Sequence, residues 1–130
     1  MKTFHILILE DDLRALSFLM GRISQLEDNL KSADIAVTVL SEYTQVKEYI
    51  NNTKMDFDAI LLDRDCKACG SFHVLDFDKV GVNKIISISS IPEWNEEARK
   101  RGVTRVILKE HDNIEVFVDS VVEEIRKIIS

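Results

Sequence analysis

The sequence predicts an α/β protein whose strands lie parallel in one sheet, and three observations carry that prediction. Short runs rich in Ile, Leu and Val, such as Ile60-Leu61-Leu62 between Asp58 and Asp63, have the near-continuous apolar character of strands buried on both faces. Between the runs, apolar residues recur at helical spacing. The two patterns alternate along the whole chain, as in βαβ units, whose strands run parallel.

The first strand is Phe4 to Leu9, apolar except for His5, and Glu10, Asp11 and Asp12 follow at once. Leu13, Leu16, Met20 and Ile23 then recur at helical spacing, with Leu19 and Leu26 close to the same face. Lys31 to Asp34 is a polar connection to a second strand, Ile35 to Leu40. Ser41 or Thr44 can cap a short second helix carrying Tyr43, Val46 and Ile50, which Asn51-Asn52-Thr53-Lys54 breaks. The third strand runs from about Asp58 to Leu62. Phe72, Val74, Leu75, Phe77 and Val80 can form a short third helix of poor period, ended by Gly81. The fourth strand is Lys84 to Ile88, with Ser89-Ser90 after it; Ser90 and Glu93 have the spacing of a capping box, and Pro92 suits a first helical turn. That helix runs to Arg101 and stops at Gly102. The fifth strand is Val103 to Leu108, delivering Lys109. Asp112 and Glu115 form another capping-type pair before Ile114, Phe117, Val118, Val121, Val122, Ile125, Ile128 and Ile129, which keep the helical pattern to the end.

Length and composition bound the function. The 130 residues suffice for one domain, 1–130, with a sizeable core, and one proline with four glycines leaves no linker. No apolar stretch approaches the ~20 residues that span a bilayer, and no signal-peptide layout opens the chain, so a cytoplasmic protein without membrane contact is expected. The net charge of -6 argues against a grip on phosphate backbones. The basic cluster Arg99-Lys100-Arg101 follows Glu93, Glu96 and Glu97 and suits the solvated end of a helix, so no direct nucleic-acid partner is expected.

Four strand exits carry chemistry: Glu10 with Asp11, Asp63, Ser89 and Lys109. Right-handed crossovers put the carboxyl ends of parallel strands on one edge, where open α/β sheets bind ligands. Taken singly these residues have plain explanations. Asp63 could open a polar loop, and Asp11 or Asp12 could cap the first helix, but one acid suffices for a cap. Converging carboxylates repel by ~4 kcal/mol at ~4 Å and an effective dielectric of ~20, so one is protonated or a cation sits among them. A few hard oxygen ligands with room for water and phosphate favour Mg²⁺ over zinc or a calcium cage. Lys109 adds a point charge and Ser89 a hydroxyl, and the set suits phosphoryl transfer by positioning and charge neutralisation. No glycine-rich nucleotide loop is present, so bound ATP is not the expected donor.

On these residues the chain resembles a receiver domain of the two-component response regulators, across essentially its full length. Ile6-Leu7-Ile8-Leu9-Glu10-Asp11 is similar to the family's first strand and acidic pair, and Asp58-Ala59-Ile60-Leu61-Leu62-Asp63 to the third strand ending in the phosphoacceptor. Ile85-Ile86-Ser87-Ile88-Ser89-Ser90 resembles the fourth, with Ser89 at the hydroxyl position, and Gly102 through Lys109 the fifth with its lysine. The resemblance implies a flavodoxin-like (βα)5 fold, a five-stranded parallel sheet of order 2-1-3-4-5 with helices on both faces. It implies that Asp63 takes a phosphoryl group from the phosphohistidine of a histidine kinase or histidine phosphotransfer protein. Glu10, Asp11 and Asp63 with the backbone carbonyl of Asp65 would hold Mg²⁺, and Ser89 and Lys109 would bind the phosphoryl oxygens. Transfer and dephosphorylation would be self-catalysed, in a signalling protein rather than an enzyme. The face of the fourth helix, fifth strand and fifth helix would then signal to a downstream protein target, and a homodimer through that face is open.

The chain departs from the family at several positions. Lys67 and Glu110 stand where prolines are usual, and Val106 where an aromatic residue is common. The interval from Asp63 to Ser89 is short for the family, which implies a clipped third helix, and Asp65 adds a carboxylate beside the site. Val106, Glu110 and Asp65 motivate a competing reading, a pseudo-receiver that binds a partner without phosphorylation. Cys66-Lys67-Ala68-Cys69 supplies a third, a redox-sensing dithiol, since a helix N-terminus lowers a thiol pKa. With His73 the two thiols offer three metal ligands but no fourth, and cytosolic disulfides are uncommon. His5 and His111 have no partner visible in the sequence.

Overall fold

The apolar runs become strands and the spaced patterns become helices. The computed structural model describes residues 1–64 and 77–130, apart from the side chains of Tyr43, Thr44, Val46, Lys47 and Asn51. Its elements are β1 (Lys2–Leu9), α1 (Leu13–Asp28), β2 (Ala33–Leu40), α2 (Tyr43–Asn52), β3 (Ala59–Asp63), α3 (Phe77–Val80), β4 (Ile85–Ser89), α4 (Pro92–Lys100), β5 (Arg105–Leu108) and α5 (Ile114–Ile129). Short 3₁₀ turns at Val82–Lys84 and His111–Asn113 lead into β4 and α5. The strands form one five-stranded parallel sheet of order β2-β1-β3-β4-β5, the order the resemblance implies. Among the described residues, no helix is long and apolar enough to cross a membrane.

Helices cover both faces because successive strand residues point to opposite sides. Ile6, Ile8, Leu61, Ile86 and Ile88 pack against Ala15, Leu19 and Ile23 of α1 and Phe117, Val118, Val121 and Ile125 of α5. Leu7, Leu9, Ile60, Leu62 and Ile85 pack on the other side with Ile50 of α2, Phe77 of α3 and Ala98 of α4. β3 and β4 are buried along their whole length, which is why both read as unbroken apolar runs. At the opposite edge from the carboxyl ends, the Asp58 carboxylate accepts the His5 backbone N–H at 2.8 Å and ties the start of β3 to β1.

Several local expectations shift. β3 and β4 each end one residue later than the sequence suggests, so Asp63 and Ser89 are final strand residues rather than first loop residues. Their backbones are held in the ladder, Asp63 opposite Ile88 and Ser89 opposite Leu108. The Ser90–Glu93 capping box does not form. Pro92 disfavours helical geometry in the residue before it, so Ile91 becomes the cap in extended conformation and no side chain caps the helix. The Asp112–Glu115 pair also fails as a cap, because the 3₁₀ turn runs directly into α5 through Asn113. Glu42 occupies the cap of α2, the position expected for Ser41 or Thr44, without a side-chain bond. α3 is described only over Phe77–Val80; it ends as expected at Gly81, whose φ of 87° suits glycine and whose N–H bonds Phe77 O. Phe72, Val74 and Leu75 lie outside the described residues.

The buried stripe of α1 is Ala15, Leu19, Ile23 and Leu26, whereas Leu13 is 76% exposed and Leu16 and Met20 flank the core. Leu13 follows the Asp12 cap directly, ahead of the part of the helix that packs on the sheet. Leu19→Ala is therefore expected to cost about 2–5 kcal/mol in urea unfolding and Leu13→Ala no more than about 0.5. Equal losses would show that the wrong face of α1 has been assigned to the core.

Candidate functional site

The three acids after β1 divide their work. Asp12 caps α1, accepting the N–H groups of Arg14 at 3.0 Å and Ala15 at 3.2 Å. Burial raises the Asp12 pKa, but these N–H groups and the charge of Lys109 outweigh it and hold the carboxyl below its usual range. Glu10 Oε1 accepts the Asp12 N–H at 3.0 Å, and the Glu10 N–H extends the edge of β1 by bonding Leu40 O. With the cap supplied by Asp12, Glu10 and Asp11 are the surplus the sequence points to.

Lys109 draws the strand exits together. Its N–H bonds Ser89 O at 2.8 Å, fixing the chain as it leaves β5. Its Nζ donates to Glu10 Oε1 and Oε2 at 2.9 and 3.1 Å and to Asp63 Oδ2 at 3.2 Å. Glu10, Asp63 and Lys109 are 1%, 0% and 4% exposed, so these charges meet almost without water. Asp11 is half-buried beside them, and one carboxylate oxygen each from Glu10, Asp11 and Asp63 lies within 4.8 Å of the others.

The Glu10 pKa is pushed up to about 8, first by burial, then by the hydrogen bond and charge of Asp63, with Lys109 pulling the other way. Burial disfavours the Lys109 cation, but the charges of Asp63 and Glu10 prevail and its pKa is raised. Three hard oxygen donors at this separation are a donor set that fits a small divalent cation such as Mg²⁺.

Ser89 is fully buried at the end of β4, between the strands that carry Asp63 and Lys109, and its Oγ accepts the Ile91 N–H at 2.9 Å. Asp65, Cys66, Lys67, Cys69 and His73 lie outside the described residues. Three buried polar residues escaped the sequence reading. Asn95 on α4 donates to Ile107 O at 3.0 Å and accepts the Ser87 hydroxyl at 3.2 Å. Arg64, next to Asp63, donates to Trp94 O at 3.1 Å and pairs with Glu97 at 3.1 Å. The available signals were polar residues at core-facing positions: Ser87 within an apolar strand, and Asn95 one turn before the buried Ala98.

This architecture is the receiver-domain fold of response regulators. The chain is similar over 98% of its length to the phosphorylated cyanobacterial phytochrome response regulator RcpA, at 14% identity, 96% coverage of that chain and a TM-score of 0.74. It is similar to the response regulator domain of Thermotoga maritima CheB at 18% identity, with 98% and 96% of the two chains covered and a TM-score of 0.63. It is also similar to the receiver domain of the Francisella response regulator 1452, at 19% identity, with 95% and 98% covered and a TM-score of 0.58. At such identities the likeness is one of fold. No family model and no curated protein matches the chain.

The raised Glu10 pKa makes stability depend on pH. A carboxyl whose folded pKa lies above its ordinary value of 4.5 stabilises the fold below that value, and the contribution is lost as pH rises towards about 8. In chelator, wild type is expected to lose stability relative to Glu10→Gln across this window, by a few kcal/mol at most in order of magnitude, and Mg²⁺ is expected to flatten the difference. Urea unfolding of both proteins at a series of pH values checks this; a wild type that keeps level with Glu10→Gln, or gains on it, as pH rises through this window contradicts it.

Proposed function

We propose that the chain is a phosphoacceptor of a two-component signalling system, taking a phosphoryl group onto Asp63 from the phosphohistidine of a histidine kinase or histidine phosphotransfer protein. The observation that carries this reading is the Lys109 ammonium held between the buried carboxylates of Glu10 and Asp63, with Asp11 alongside. The receiver-domain fold supports it.

In the proposed reaction an Asp63 oxygen bonds to phosphorus as the P–N bond of the donor breaks. The electron pair leaves with the imidazole, which takes up a proton. Lys109 offsets charge on the phosphoryl oxygens, and the Ser89 hydroxyl donates to one of them. Glu10, Asp11 and Asp63, with the backbone carbonyl of Asp65, would hold Mg²⁺, which supplies further neutralisation of that charge. The product is a carboxyl–phosphoryl anhydride, and water attacking phosphorus returns free Asp63 and phosphate, so the signal is self-limiting. The chain therefore acts in the cytoplasm as a switch rather than as an enzyme on a released substrate. Its output is the α4-β5-α5 face, read by a downstream protein target or by a second copy of the chain.

A binding module that works without phosphorylation is the competing reading; Val106, Glu110 and Asp65 motivate it. Incubation with acetyl phosphate and Mg²⁺ followed by intact mass separates the two. Wild type is expected to gain one phosphoryl group, Asp63→Ala none, and Lys109→Ala to react roughly 10²-fold more slowly. No gain in wild type, or a gain that survives in Asp63→Ala, would overturn the phosphoacceptor reading.

A further inference from the structure

The helix α4 is fastened to the site edge by buried polar groups rather than by apolar packing alone. Arg64 follows Asp63 directly, and its N–H bonds Ile88 O at 2.8 Å, so its backbone is fixed to β4. Its guanidinium, buried with the rest of the side chain, donates to Trp94 O and pairs with Glu97. One residue along α4 from Trp94, the Asn95 amide donates to Ile107 O at 3.0 Å, approaches Ser89 O at 3.5 Å and accepts the Ser87 hydroxyl. Ser89 O also receives the Lys109 N–H. Each group proposed to meet the phosphoryl moiety is thus within two residues of an atom that α4 holds: Arg64 beside Asp63, Ser89 itself, and Ile107 two before Lys109.

A buried guanidinium and a buried amide are costly to leave unsatisfied, so α4 cannot move while these strand exits stay still, nor the exits while α4 stays still. Val106, opposite Ser87 in the ladder, has only hydrocarbon to offer and makes no polar link to the helix. We infer that Arg64 and Asn95 are positioning residues that transmit phosphorylation of Asp63 to α4, moving the exposed face that carries Trp94. This rests on the phosphoacceptor reading above. Coupling of this kind is reciprocal, so a partner that grips α4 changes the affinity of the site for its own ligands by the same factor.

Trp94 is the chain's one tryptophan and is exposed on α4, so its emission reports the helix directly. Wild type treated with acetyl phosphate and Mg²⁺ is expected to change tryptophan emission in proportion to the phosphorylated fraction measured by intact mass. Arg64→Lys and Asn95→Ala are expected to gain the same mass while the emission change per phosphoryl group falls roughly threefold or more. Ser87→Ala, which removes only the hydroxyl given to Asn95, is expected to give a smaller loss and serves where Asn95→Ala does not fold, with far-UV circular dichroism as the check. A purely structural role for these residues would lower the unfolding midpoint and leave the emission change per phosphoryl group intact. Full mass gain with an undiminished emission change in the folded variants, or full mass gain in wild type with no emission change, overturns the inference alone. Absence of mass gain in wild type instead removes the phosphoacceptor reading on which it stands.

Discussion

The contact of Lys109 with Glu10 and Asp63 is the constraint around which the rest of the molecule is arranged. The Lys109–Asp63 contact at 3.2 Å is worth on the order of 5 kcal/mol gross at an effective dielectric of ~20, against a desolvation cost of several kcal/mol per ion. Glu10, with its pKa pushed up to about 8, adds chiefly hydrogen bonds near neutral pH. Such a cluster persists only if the backbone around it is rigid and each remaining lone pair finds a partner. The sheet order meets the first condition, because β1 and β3 are neighbours and β5 lies two strands beyond β3. Lys109 must reach across the exit of β4, which a four-carbon stem can do over a residue as small as Ser89.

Backbone groups contribute to the second condition. Asp12 N–H serves Glu10, Ile91 N–H serves Ser89, and Ser89 O holds the backbone of Lys109. Two hydrophobic layers, one under α1 and α5 and one under α2 and α4, keep the strands that deliver these groups from shifting. Packing and electrostatics therefore act on the same few residues. Local preference yields where they do, as at Leu13, which stays in water while Asp12 beside it caps the helix.

The parts of the fold that were legible from sequence are those where one physical effect dominates. Continuous apolar runs marked β3 and β4 because both are buried on two faces, and the period of Ile114 to Ile129 marked α5 because one stripe meets the sheet. Surplus acids after β1 pointed to Glu10 and Asp11, and the ends of three other strands supplied Asp63, Ser89 and Lys109. The helix starts were less legible, because Pro92 and the turn before α5 override the capping residues that stand nearby. Arg64, Ser87 and Asn95 were missed for a different reason. Arg64 and Asn95 reach the backbone carbonyls of Trp94 and Ile107, which leave no complementary side chain to look for, and Ser87 meets Asn95 only once α4 is laid against β4.

The central claim is that the crowded carboxylates of Glu10, Asp11 and Asp63 make a seat for one divalent cation at the edge where Lys109 enters. Calorimetric titration of Mg²⁺ into the wild-type protein and into Asp11→Asn at neutral pH tests it most directly. A single site in wild type, weakened about tenfold or more in Asp11→Asn, is the predicted result, since each lost carboxylate removes one of few ligands. Failure of the wild type to bind, or equal affinity in the two proteins, would contradict the account.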